Sequence, residues 1–288
     1  MILILGASSR IGWHLYRHFR REALDVVGTH CNNPQSGTIH FDLENMVLDD
    51  VVLDSRPTHM IVALAANPRP ELTKQDVGYS YKINVEQTKT LLDDCFKRAI
   101  IPVYISTDNV FDGEKGHYKE TDPTNPVNSY GAMKCEIENY LFISGKPYLL
   151  LRMGKVFGIQ NDHTLILETF LSLKNGKPMV CATDQVFSPC YAMDMYEFVR
   201  EAVMHDYHGI YHLASVRPTT RYQVAKTIAD YFKIPNAQIT PCKINEIGLK
   251  ERRPLKIDLD VAKYTELTGK QVLELEHFLD MVEAGVLS

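Results

Sequence analysis

The sequence is short of everything that would send a chain into a membrane, onto a nucleic acid or through an oxidising compartment. No apolar run approaches the ~20 residues that cross a bilayer, the segment from Met60 to Ala66 being typical of the longest. No basic region precedes the apolar N-terminus as it would in a secretory signal, so a cytoplasmic protein is expected. Positive charge is in deficit, with 31 Lys and Arg against 36 Asp and Glu and a net charge of -5. Without a basic stripe to neutralise a phosphate backbone, a nucleic-acid partner is disfavoured, although a small anionic ligand is not. The six cysteines (Cys31, Cys95, Cys135, Cys181, Cys190 and Cys242) contain no C-x-x-C pair. Reduced, buried thiols are therefore expected rather than a disulfide framework or a zinc site. His205, His208 and His212 fall on a helix end, a loop and a strand, so no metal site is read there. Repeats and low-complexity stretches are missing, which excludes a solenoid or a disordered linker. The one tryptophan, Trp13, reads as a packing residue.

What is present is a chain of 288 residues with 45% hydrophobic content, enough for one large or two unequal domains. Strand and helix patterns alternate along it. Ile2–Leu5 opens as an apolar strand, Trp13 to Phe19 follows at helical spacing, and Leu24 to Gly28 reads as a second buried strand. Further strands are expected at Thr38 to Phe41, Met60 to Ala66, Val103 to Ser106 and Tyr148 to Arg152, with a long helix from Tyr81 to Arg98. Strands repeatedly separated by helices imply an α/β fold, a doubly wound parallel sheet. From Gly158 the pattern becomes less regular, and a smaller, discontinuous C-terminal domain is expected. The division reads as 1–157 and 185–207 for dinucleotide binding, with 158–184 and 208–288 for substrate.

The chemistry begins at Gly6-Ala7-Ser8-Ser9-Arg10-Ile11-Gly12, a glycine-bounded turn running from the first strand into a helix. Such a turn holds a dinucleotide pyrophosphate, with the last glycine permitting close helix-to-strand packing. Ser9 stands where a middle glycine would let the backbone come closest, and its hydroxyl is expected to meet a phosphate. Thr29 to Asn33, at the end of the second strand, contains no acid to grip a ribose 2′-hydroxyl. Arg10 and His30 can instead meet a 2′-phosphate, which predicts NADPH over NADH. Asp42 and Leu43, after the third strand, are expected near the adenine, with a turn or cap role for Asp42 as the alternative. Ser106 and Thr107 end the fifth strand, where hydroxyls project from the ligand-binding edge of such sheets. Tyr130 and Lys134 lie four apart on a helix that Asn128 or Ser129 can cap. A free phenol loses its proton near ~10, and a neighbouring ammonium favours the phenolate, making this pair a proton donor and its activator.

Together these stretches resemble the extended short-chain dehydrogenase/reductase family, and within it the dTDP-4-dehydrorhamnose reductases. The resemblance runs nearly end to end. It takes in the N-terminal turn, Ala63-Leu64-Ala65-Ala66, Asn84-Val85, Ser106-Thr107-Asp108 with Val110-Phe111-Asp112-Gly113, and Tyr130-Gly131 with Lys134. It continues through Leu151-Arg152 with Val156-Phe157-Gly158, Asp184-Gln185 with Ser188-Pro189, Arg252-Arg253-Pro254, and Leu259-Asp260 with Lys263. The later matches are the more specific, since many reductases and epimerases share the first half.

The resemblance implies that Thr107 takes the place of the usual catalytic serine, Tyr130 protonates the alkoxide and Lys134 binds the nicotinamide ribose. It adds Ala63, Ala65, Ala66, Asn84 and Ser106 to the cofactor residues Gly6, Ser8, Ser9, Arg10, Ile11, Gly12, His30, Asp42 and Leu43. Asp108, Asn109, Lys155 and Arg253 are implied on the substrate, a nucleotide-linked 4-keto-6-deoxy sugar. Asn109 and Phe187 depart from the usual tyrosine and glycine, which leaves the sugar open. Asn109 also argues against the related 4,6-dehydratases, whose base there is a glutamate. An epimerase that retains NAD, and a regulatory subunit resembling that of methionine adenosyltransferase, stay as alternatives. A homodimer is left open.

Overall fold

A computed structural model describes residues 1–51, 53, 55–63, 69–159 and 165–283. They fall into two compact units, one of residues 1–107, 129–152 and 196–211, the other of 108–128, 153–195 and 212–288. These boundaries depart from the division read from the sequence. The chain leaves the sheet after the fifth and sixth strands to build the second unit, so 108–128 and 153–157 join that unit. Residues 185–195 go with it as well, since Val186–Phe187 and Cys190–Tyr191 pair with strands of that unit.

The first unit is organised by a seven-stranded sheet of β1 (Ile2–Leu5), β2 (Val26–His30), β3 (Thr38–His40), β4 (His59–Val62), β5 (Ile101–Ile105), β6 (Leu149–Met153) and β7 (Gly209–Leu213). Their order is β7-β6-β5-β4-β1-β2-β3. Leu3 lies beside Val27 on β2 and Met60 on β4, and the β2-β3, β4-β5 and β5-β6 pairs are parallel as well. All four residues of β1 and of β4 are buried, as expected of a parallel sheet covered by helices on both faces. Strand order reverses between β1 and β4, and ligands of such folds bind at the carboxyl ends of the strands there.

Three helices position the chemistry. α1 (Arg10–Arg21) buries Leu15, Tyr16 and Phe19. α2 (Thr88–Lys97) buries Leu91, Leu92 and Cys95. α3 (Ser129–Ser144) sets Met133, Ile137 and Leu141 into the same apolar cluster as Leu3, Leu5, Met60, Val62 and Leu150. Each such side chain, fully buried, contributes roughly 1.5–3 kcal/mol. The long helix expected from Tyr81 to Arg98 is realised in two parts, because a wide π-helical turn, Lys82–Gln87, runs into α2. β4 ends at Val62 rather than continuing to Ala66, and 64–68 lie outside the described residues.

The second unit is built from short paired strands. Val156–Phe157 pairs with Cys190–Tyr191, Val186–Phe187 with Thr219–Thr220, and Met179–Ala182 with Ile239–Cys242. Helix Arg221–Tyr231 starts with a capping box, Gln223 N donating to Thr220 Oγ1 at 3.1 Å and Thr220 N to Gln223 Oε1 at 2.9 Å. Phe157 meets Phe278 edge-on at 5.1 Å, and Phe170 meets Phe232 at 4.6 Å.

Four cysteines are buried and Cys242 is partly so, whereas Cys31 is exposed just past β2, contrary to the expectation of burial. No helix among the described residues is long and apolar enough to cross a membrane.

Candidate active site

At the carboxyl end of β1 the chain turns through Gly6 and enters α1 at Ser9. A Cβ on Gly12 would lie 2.1 Å from the Gly6 carbonyl oxygen, so helix and turn approach as closely as the glycine spacing predicts. The turn is sewn to its neighbours by hydrogen bonds. Gly6 N donates to Thr29 Oγ1 of β2 at 3.2 Å, and Ser9 Oγ donates to the Ala63 carbonyl beyond β4 at 2.8 Å. Ser9 Oγ also accepts from Gly12 N at 3.1 Å, capping α1. In this arrangement the hydroxyl proton goes to Ala63 and a lone pair to the cap, which ties Ser9 into the scaffold of the turn. The first N–H groups of a helix have no preceding turn to accept them. With the positive end of the helix dipole, they suit an anion.

Arg10 is exposed and His30 half-buried at the tip of β2, its Nδ1 2.8 Å from Thr38 Oγ1. Asp42 adopts the alternative foreseen for it. Its carboxylate accepts from Glu44 N at 3.0 Å and Asn45 Nδ2 at 2.7 Å, and the Asn45 bond, ahead of the others, holds it below the usual carboxylate range. Burial first, and then the Asp42 carboxylate beside it, push the Cys31 thiol up. Leu43 is 8% exposed and belongs to the apolar core. Ala65 and Ala66 lie outside the described residues.

The residues expected to donate and activate a proton are carried by α3 of the same unit. Tyr130 is half-buried and Lys134, one turn on, is 5% exposed. Lys134 Nζ donates to the carbonyl of Ile105, the last residue of β5, at 2.9 Å and lies 4.5 Å from the centre of the Tyr104 ring. Burial pushes its ammonium down to about 8, partly offset by Glu138. Thr107, buried, is two residues beyond β5. Asn84 sits in the π-helical turn, where backbone widening is often functional, and its amide reaches Met133 Sδ of α3 at 3.9 Å. Asn84 is thereby brought to the helix of Tyr130 and Lys134.

Ser106 behaves differently from the expectation of a ligand-facing hydroxyl. Adjacent residues of an extended chain point to opposite faces, and the Ser106 hydroxyl donates to buried Glu138 by a short hydrogen bond. Arg152 is 3% exposed and paired with the same Glu138, Nη2 to Oε2 at 2.8 Å. Sequence reasoning passed over Glu138. The available signal was its place four residues after Lys134 and eight after Tyr130, on one helix face.

The residues expected on substrate belong to the second unit. Asn109 Nδ2 donates to Asp108 Oδ1 at 2.8 Å, and Asn128 Nδ2 reaches Asn109 Oδ1 at 3.3 Å and the Arg252 carbonyl at 3.4 Å. This chain of amides links Asp108 to the Arg252-Arg253-Pro254 segment. A Cβ on Gly113, at φ +76, would lie 2.5 Å from Leu255 N, which explains why those two distant motifs occur together. Arg253 is half-buried. Lys155 Nζ lies 5.3 Å from the centre of the Phe187 ring, and Phe187, expected to face a ligand, is 1% exposed. His212 is fully buried with Nδ1 3.1 Å from the Asp260 carbonyl, and His205 pairs with Glu201.

Residues 1–284 match the family described as RmlD substrate binding domain. Methionine adenosyltransferase 2 subunit beta of Danio rerio is 28% identical over 284 residues, covering 94% of this chain and 85% of that protein. The dTDP-4-dehydrorhamnose reductase of Aggregatibacter actinomycetemcomitans is 27% identical over 259 residues, covering 84% of this chain and 86% of its own length. Among solved structures, a hypothetical dTDP-4-dehydrorhamnose reductase from Sulfolobus tokodaii superposes with a TM-score of 0.84 at 27% identity, covering 96% of this chain and 98% of its own. The Bacillus anthracis dTDP-4-dehydrorhamnose reductase in complex with NADP shares the fold, with a TM-score of 0.81 at 22% identity and coverage of 97% and 96%.

Proposed function

The chain belongs to the RmlD substrate binding domain family, and from that premise we propose that it is an NADPH-dependent reductase of the 4-keto group of a nucleotide-linked 6-deoxy sugar. The observation that carries this reading is Tyr130, half-buried, one turn from a buried Lys134 whose ammonium is anchored to the end of β5. The relatives named as dTDP-4-dehydrorhamnose reductases support the substrate class.

The close-packed turn at Gly6 and Gly12, together with the N-terminus of α1, fits a dinucleotide. Gly6, Ser8, Arg10, Ile11 and Gly12 would hold its pyrophosphate, Arg10 and His30 its 2′-phosphate, and Asn84 and Lys134 its nicotinamide end. When bound, the reduced nicotinamide supplies the hydride. The Thr107 hydroxyl steadies the carbonyl oxygen of the sugar. Tyr130 breaks its own O–H bond to protonate that oxygen as negative charge develops on it. The Lys134 ammonium stabilises the phenolate left behind, which regains a proton from solvent. Asp108, Asn109, Lys155 and Arg253 bind and orient the nucleotide sugar. The amide of Asn109 cannot abstract a proton, which sets the reaction apart from elimination.

Incubating the protein with NADPH or NADH and a panel of nucleotide-linked 4-keto-6-deoxy sugars tests this reading through the loss of reduced-nicotinamide absorbance. One sugar is expected to be consumed with NADPH preferred. Tyr130→Phe is expected to lose about 10²- to 10⁴-fold in turnover while still binding cofactor, the usual worth of a positioned proton transfer. Undiminished turnover in that variant would remove Tyr130 from the mechanism. Relatives named as methionine adenosyltransferase 2 subunit beta, at 28% identity, support a second reading as a regulatory subunit. Capture of a methionine adenosyltransferase catalytic subunit, with no sugar reduced, would favour it.

A further inference from the structure

Beneath Tyr130 and Lys134 lies a buried polar junction that the reaction as described does not use. Glu138 and Arg152 are each 3% exposed. The guanidinium grips the carboxylate with Nη2 to Oε2 at 2.8 Å, Nε to Oε2 at 3.0 Å and Nε to Oε1 at 3.3 Å. The Ser106 hydroxyl donates to Oε1 as well. Both carboxylate oxygens are thus engaged, by one residue from β6 and one from the residue following β5. Ser106 N is itself held by the Leu151 carbonyl of β6 at 2.8 Å.

A junction of this kind is a poor device for stability alone. Desolvating two charges costs several kcal/mol per ion, and replacing a buried ion pair with apolar residues is often neutral or stabilising. Its position says more. Tyr130, Lys134 and Glu138 are spaced four residues apart on α3, so they share a face. Ser106 immediately precedes Thr107. A single carboxylate therefore ties the helix bearing the proton donor and its activator to the strand end bearing the carbonyl-binding hydroxyl.

Charge points the same way. Lys134 is met by Tyr104 from β5 and by Glu138, four residues on along α3; Tyr130 bears on Tyr104, and Glu138 is met in turn by Arg152 from β6 and by Tyr148 just before that strand. Glu138 is the acid of that set, and it supports the ammonium against burial.

We propose that Glu138 is a positioning residue of the proton-donor site, a buried carboxylate that, locked by Arg152 and Ser106, fixes α3 against β5 and β6 and supplies the counter-charge for Lys134. The proposal rests on the reading of Tyr130 and Lys134 as proton donor and activator. Arg152 is the counterweight, since it holds the Glu138 carboxylate in place while screening part of its charge.

Two single variants pull the site in opposite directions. Glu138→Gln leaves two neighbouring buried cations, and Arg152→Met leaves an unscreened carboxylate. The Lys134 ammonium is followed by NMR titration of protein carrying ¹³Cε-labelled lysine, with Lys134→Met to assign its signal. Its titration is expected to move below the wild-type position by roughly one pH unit or more in Glu138→Gln, and above it in Arg152→Met. The high-pH limb of kcat is expected to follow in the same two directions, with the sugar KM nearly constant. Because removing one partner of a buried pair threatens folding, the double variant Glu138→Gln/Arg152→Met is the safeguard. It leaves no orphaned charge, and Lys134 is again expected to titrate below wild type. An unmoved Lys134 in Glu138→Gln or in the double variant would overturn the proposal, as would movement in the same direction in both single variants. The titration needs no turnover. A chain that reduces no sugar refutes the functional reading, whereas a Lys134 indifferent to Glu138 refutes this one.

Discussion

Two regions at the carboxyl edge of one sheet are built on opposite principles. The turn from Gly6 to Gly12 is shaped by what is missing, a Cβ at Gly12 that would stand 2.1 Å from the Gly6 carbonyl. Its fit to an anion comes from the N-terminus of a helix, and the cation beside it, Arg10, is exposed. The floor behind Tyr130 is shaped by what is present: a buried lysine, a buried ion pair and a serine that serves it. One region suits charge that would arrive with a ligand. The other stores charge of its own, where low dielectric makes each interaction strong and each unpaired group costly. On the proposed function, the difference teaches that the cofactor seat is made from backbone shape, whereas the proton donor relies on side chains held in a fixed electrostatic setting.

The comparison breaks most sharply at Gly12. Gly12→Ala forces a methyl into a backbone carbonyl, and overpacking of this kind costs 1–3 kcal/mol and occasionally more. A loss of about 3 kcal/mol is expected in urea denaturation, together with most of the affinity for NADPH. Gly78→Ala is the control, because nothing lies within 4 Å of a Cβ there and alanine in a helix is no worse than glycine. Equal stability and affinity in Gly12→Ala and Gly78→Ala would show that the turn does not depend on close approach.

The floor is broken by pH. The folded Lys134 ammonium is pushed down to about 8 from the model-peptide value of 10.5. As pH falls from 10.5 towards 8, the unfolded chain binds this proton before the folded one does, so the stability that Lys134 contributes above 10.5 is lost. Each pH unit of difference corresponds to about 1.4 kcal/mol, giving roughly 3 kcal/mol across the window. Lys134→Met lacks this dependence. The stability difference between wild type and Lys134→Met, from urea midpoints at several pH values, should therefore swing towards the variant as pH drops through that window. A difference constant between pH 8 and 10.5 would mean that Lys134 is not desolvated.

The same contrast explains what was legible in the sequence. The glycine turn was readable because its constraint is local: Gly6 and Gly12 must be spaced as they are wherever a strand runs closely into a helix. Tyr130 and Lys134 were readable because helical periodicity joins them. Glu138 belongs to that periodicity too, but its meaning comes from Ser106 and Arg152, which only strand pairing brings to it. Asp42 and Ser9 show the reverse case. Their positions were visible, and their hydroxyl or carboxylate chemistry suggested ligands, yet local backbone donors claimed both. The unit boundaries were hidden for the same reason as Glu138, since short strands such as Val186–Phe187 acquire their allegiance only from distant partners.

Ser9 gives the smallest effect and the finest test of the contrast. Its hydroxyl caps α1 through Gly12 N and ties the turn to Ala63 beyond β4. Removing an N-cap hydroxyl costs about 1 kcal/mol, and the half-buried Ala63 carbonyl loses its donor, so Ser9→Ala is expected to lose between about 1 and 2 kcal/mol of stability. Its effect on cofactor separates two roles. A hydroxyl that binds phosphate directly would take tenfold or more of the NADPH affinity with it, since about 1.4 kcal/mol is a factor of ten. A hydroxyl that caps leaves the N-terminus of α1 and its dipole in place, and a change of less than about threefold is expected. Calorimetric titration of Ser9→Ala with NADPH, beside its urea midpoint, reads both numbers. Lost stability with retained affinity would place Ser9 in the scaffold of the turn. The reverse pattern would make even this region depend on a side chain, and the contrast with the floor behind Tyr130 would narrow to one of burial.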